Sequence, residues 1–61
     1  MVRISNDVLK LQLKRMLEDE SEGIAAYKLL YETTGRKQFL SIAKDEKKHY
    51  RMLSNMLKNL R

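Results

Sequence analysis

The sequence predicts an all-α protein: a two-helix antiparallel hairpin that pairs with a second copy into a four-helix bundle. Three observations predict it. The 61 residues contain no proline and only two glycines, Gly23 and Gly35, so little interrupts a helix. A single break divides the chain, and apolar residues recur at helical spacing on both sides of it. A chain this short buries only about 60% of its unfolded surface and usually needs a staple. With no cysteine, disulfides, zinc–cysteine sites and iron–sulfur clusters are excluded. A partner subunit, or metal held by Asp, Glu or His, remains.

The first helix is expected over about 7–33. Ser5, Asn6 and Asp7 all carry side-chain oxygens that can accept from the free N–H groups of a first turn. Gly23 costs its helix about 1 kcal/mol relative to alanine, which marks a place where something approaches the backbone closely. Thr33-Thr34-Gly35-Arg36 is the break, with Gly35 as the left-handed residue that ends the helix and a turn at about 34–36. The second helix is expected over about 37–60, and residues 1–61 form a single domain. At about 1.5 Å per residue each helix spans roughly 35–40 Å. So short a turn lays the two helices antiparallel.

Heptad spacing fixes which faces meet. Leu9, Leu13, Met16, Glu20, Gly23, Tyr27 and Leu30 alternate steps of four and three, and so do Phe39, Ile42, Glu46, His49, Leu53, Met56 and Leu60. Folding the chain at its turn pairs residues whose numbers sum to 69, so each seam position meets a seam position. Leu17, Ile24 and Tyr31, with Leu40, Ala43, Tyr50 and Leu57, flank this seam. A stripe so wide exceeds what one partner helix covers, and pairing two hairpins buries it at about 25 cal/mol per Å². A homodimer or larger homo-oligomer is therefore expected, with Met16, Met52 and Met56 filling core or interface.

The seam is polar only at its middle, at Glu20, Glu46 and His49. Burying a carboxylate beside another is expensive. At an effective dielectric near 20, two carboxylates 4 Å apart repel by roughly 4 kcal/mol. No Lys or Arg occupies a seam position. Two-fold pairing gathers four glutamates and two histidines, a charge that two divalent cations cancel. Glu46-Lys47-Lys48-His49 is an E-x-x-H, which puts a carboxylate and an imidazole on one helix face. One Glu from each of two helices plus an E-x-x-H from each of the other two is a di-iron carboxylate arrangement. Hard oxygens with one imidazole per metal suit Fe²⁺ or Mn²⁺, with Zn²⁺ as a further fit. Tyr27, two turns beyond Glu20, is placed to hold a ligand carboxylate through its hydroxyl.

Glu20-Ser21-Glu22-Gly23-Ile24-Ala25-Ala26-Tyr27 and Ala43-Lys44-Asp45-Glu46-Lys47-Lys48-His49 resemble the ligand motifs of the ferritin-like superfamily, in the pattern of rubrerythrins and two-helix encapsulated ferritins. The resemblance covers roughly residues 9–60. It implies iron bound by Glu20, Glu46 and His49, two per dimer, with Tyr27 behind them. It also implies ferroxidase activity, two Fe²⁺ going to Fe³⁺ at the expense of oxygen or peroxide, in iron storage or detoxification. Asp19 and Glu22 resemble carboxylates that encapsulated ferritins place near a metal entry route. An enclosing shell protein is a partner the resemblance brings with it, although no segment after Arg61 reads as a targeting tail. The chain departs from the family in the spacing of Glu20 and Glu46, about one turn shorter, and in lacking a Cys₄ electron-transfer domain.

The net charge of +5, from 13 basic and 8 acidic residues, raises a second class of function. Lys44, Lys47, Lys48, Arg51 and Lys58 crowd the second helix, and Lys10, Lys14 and Arg15 the first. A basic helical dimer binding nucleic acid, or serving as an adaptor without metal chemistry, is the alternative. Against it, no aromatic residue reads as interleaved with these charges and no groove-reading motif is evident. An outer face stabilised by i,i+4 pairing, with Glu18 and Glu22 set against Lys14, is the expectation for them. No apolar run approaches the ~20 residues of a membrane span, and the start of the chain does not read as a signal peptide. A cytoplasmic protein, free or inside a protein compartment, is expected.

Overall fold

Ser5 starts the first helix because its side-chain oxygen takes the Val8 N–H at 3.2 Å, satisfying one of the donors a first turn leaves free. In the computed structural model, which describes residues 5–60, α1 runs Asn6–Thr34. It stops at Gly35, whose φ of 68° is left-handed and whose N–H donates to the Tyr31 carbonyl at 2.7 Å. Only glycine takes this conformation without a steric penalty. The Thr33 and Thr34 hydroxyls donate back to the carbonyls of Leu29 and Leu30. Thr34 Oγ1 also accepts the Arg36 N–H at 3.2 Å, so Thr34 stays helical and the turn shrinks to Gly35 and Arg36. The second helix, α2, runs Lys37–Asn59. Residues 1–4 and 61 of the expected domain lie outside the described residues.

The helices pack against each other over their length, in a body 44 Å long. The predicted register holds. Gly23 lies against Glu46, Glu20 against His49, and Leu9 and Leu13 share a groove with Leu60 and Met56. Near the turn the Tyr27 and Phe39 rings stack with centroids 6.3 Å apart.

Both the expected seam and the stripe flanking it contribute to the contact between the helices. Leu13 (3% exposed) and Ala43 (1%) are the fully buried apolar residues among those described. In the flanking stripe Leu17, Ile24, Tyr31, Leu40 and Leu57 are half-buried and Tyr50 is exposed. In the seam Leu9, Glu20, Gly23, Tyr27, Phe39, Glu46, Leu53 and Leu60 are half-buried, and Met16, Leu30, Ile42, His49 and Met56 are exposed. The contact is thus shared between two neighbouring stripes, and part of the seam stays uncovered. Met52, at 60% exposure, extends the same uncovered apolar surface. Among the described residues no helix is long and apolar enough to cross a membrane.

Candidate metal centre

Glu20 sits midway along α1 and Glu46 midway along α2, so the hairpin register brings their carboxylates together. Gly23, one turn after Glu20, makes this close approach possible. A Cβ at position 23 would lie 3.2 Å from Glu46 Oε2, a spacing that would push the carboxylate aside. The glycine marked by its helix cost is thus the floor beneath Glu46. His49 stands one turn along α2 from Glu46, with Nδ1 3.8 Å from Glu20 Oε1. One ligand atom from each of Glu20, Glu46 and His49 lies within 4.8 Å of the others.

The electrostatics are unfavourable as they stand. Glu20 Oε2 is buried and has no hydrogen-bond partner. The Glu46 carboxyl beside it raises the affinity of Glu20 for a proton, because a hydrogen bond between the two carboxyl groups favours the protonated form. Burial and the charges of Glu46 and Asp19 raise it further, and His49 opposes them. The His49 side chain is 53% exposed and that of Glu20 22%, so the group opens to one side of the hairpin. There Met16, Met52, Leu53 and Met56 join Glu20 and His49 around a hollow of about 210 Å³. Hard carboxylate oxygens with one imidazole, one oxygen lacking a partner and backbone room at Gly23 fit a divalent cation of the Fe²⁺, Mn²⁺ or Zn²⁺ kind.

Other expected residues stand apart from this group. The Tyr27 ring stacks on Phe39, and among the described residues no hydrogen bond joins its hydroxyl to Glu20 or Glu46. Asp19 and Glu22 are exposed and outside the three-ligand group. Glu22 lines a different groove, with Leu17, Glu18, Ser21 and Tyr50. The expected pairing of Lys14 with Glu18 and Glu22 is not formed, since among the described residues the ion pair within 4.0 Å is His49–Glu20. Both side chains extend into water, where an exposed pair is worth about 0.3–0.5 kcal/mol and is easily lost to side-chain entropy.

One feature escaped the sequence. Tyr50 lines a groove with Lys47, Arg51 and Lys58, so an aromatic ring does lie among the basic residues. The i,i+3 spacing of Lys47 and Tyr50 was the available signal.

No family model, curated protein or solved structure matches this chain.

Proposed function

We propose that two copies of the hairpin join through the Met16, Ile42, Met52 and Met56 face to make a ferritin-like four-helix bundle that binds two Fe(II) and oxidises them. The observation that carries this proposal is the Glu20–Glu46–His49 group, two carboxylates and an imidazole gathered beside an uncovered apolar surface. Three donor atoms from one chain leave a metal short of the four to six it takes. A second copy across the open side would bring three more and would cover methionines now in water. Four glutamates and two divalent ions then balance in charge, which relieves the repulsion that raises the Glu20 pKa.

Iron is the substrate in this proposal. Each Fe(II) gives up one electron and becomes Fe(III), and dioxygen or peroxide accepts the pair together with two protons. Glu46 and Glu20 hold the ions through oxygen, which favours the harder Fe(III) product, and His49 supplies nitrogen. Once a second copy covers them, Leu53 and the methionines would exclude water from one side of the ligands. Ferritin-like chemistry on this chain, whether for storage or detoxification, belongs to the same proposal, as does the dimer.

Anaerobic titration of metal-free protein with Fe(II) tests it. Saturation at one iron per chain is expected, with oxygen uptake on admission of air. Glu46→Ala should abolish both while leaving the metal-free fold as stable or more stable, because it removes one of two facing carboxylates. No specific iron binding, or binding that survives the substitution, would overturn the proposal.

A further inference from the structure

We propose that the groove on the other side of the hairpin, between Lys47, Arg51 and Lys58, binds a compact phosphate-type oxyanion. Residues 47, 51, 54 and 58 recur at steps of four, three and four along α2, so they share one helix face. With Tyr50 and Ile24 they enclose about 360 Å³. Three positive side chains, the Ser54 hydroxyl and the Asn55 amide give this space a set of donors suited to oxygens carrying negative charge.

The bases of this face are close together and without counter-ions. Among the described residues no Lys or Arg makes an ion pair within 4.0 Å. An anion seated between Lys47 and Arg51 would supply the counter-charge that these side chains lack among the described residues.

The neighbouring groove decides the size of the ligand. Tyr50 also lines it, together with Glu18 and Glu22. A backbone of many phosphates continuing past Tyr50 would meet those two carboxylates. A compact anion at the basic end would not. Inorganic phosphate or pyrophosphate therefore fits better than an extended nucleic-acid strand.

Calorimetric titration of the metal-free protein with pyrophosphate at low salt is the test. One saturable site per chain is expected, weakened at least tenfold by the double substitution Lys47→Gln, Arg51→Gln. The control Lys10→Gln, Lys14→Gln should bind as the parent does, and so should Glu46→Ala, which separates this site from the iron proposal. Thermal melting should show the Lys47→Gln, Arg51→Gln protein folded and no less stable, because like charges have been removed. Absence of saturable binding, or binding that survives the double substitution, would overturn the proposal. So would a single-stranded oligonucleotide binding tenfold more tightly than pyrophosphate, which would make the face a nucleic-acid surface instead.

Discussion

On one side of the hairpin Glu20 and Glu46 face each other, with a half-exposed His49 as the only balancing group. On the other side Lys28 of α1 and Lys47 of α2 act on each other as like charges. The same two helices thus hold a like-charged pair on each side, and the surroundings set what each pair costs. Glu20 lies beside Met16, Met52, Leu53 and Met56, an apolar surface that offers its carboxylate no hydrogen bond. Lys47 lines a groove open to water among other polar and basic side chains. Beside an apolar surface the acidic pair is a poor structural device, which is why a cation site is proposed there. The basic pair is cheap to keep and calls for only a loosely held anion.

The largest effect should come from the apolar surround itself. Met52→Lys places a charge in the middle of the exposed methionine surface and should convert the dimer to monomer at micromolar concentration in sedimentation velocity, with loss of iron binding. A dimer that persists would place the interface on the other side and dissolve the contrast between them. Gly23→Ala should act next in size, and in two directions. The added methyl group meets Glu46 Oε2 at 3.2 Å, and a carboxylate at the end of a flexible side chain can yield by a few tenths of an ångström. Melting of the metal-free protein should therefore show a gain of up to about 1 kcal/mol from helix propensity. Iron affinity should fall several-fold, because Glu46 no longer sits where the other ligands meet. Equal iron affinity in the two proteins would mean that Gly23 serves the helix contact alone.

A smaller effect should appear with pH. Glu20 binds its proton more tightly in the folded chain than at its ordinary value of 4.5, so between those two values the folded state holds more protons than the unfolded one. Stability from this group is fully present below 4.5 and is lost as pH rises through the raised folded value. Melting temperatures of metal-free protein measured upward from pH 4.5 should fall relative to those of Glu20→Gln, whose curve lacks this contribution. Parallel curves would show that the carboxylates do not repel. Saturating Fe(II) should reverse the trend, since it takes the place of the shared proton.

Much of this was legible in the sequence. The absence of proline, the Thr-Thr-Gly break and the sum rule for facing residues are local or arithmetical features. They placed Glu20 opposite His49 and Gly23 opposite Glu46 before any coordinates. Rotation of the helices about their own axes was less legible. Spacing that alternates threes and fours names one stripe, but Leu17, Ile24, Tyr31, Leu40, Ala43 and Leu57 form an adjacent stripe at the same period. Periodicity cannot say which of two neighbouring stripes faces the other helix. The Lys14 pairing failed for a related reason, since spacing permits an exposed ion pair without making it worth the lost side-chain freedom.

By itself the sequence determined two helices, their turn and their register, because capping, backbone conformation and helical repeat act between residues close along the chain. Tertiary structure decided which faces stay uncovered. It put Glu20 and Glu46 in contact above Gly23, left the methionines open beside them, and set Lys28 against Lys47 on the far side. Each of these depends on how one helix is turned toward the other, a choice made by packing of side chains distant in sequence.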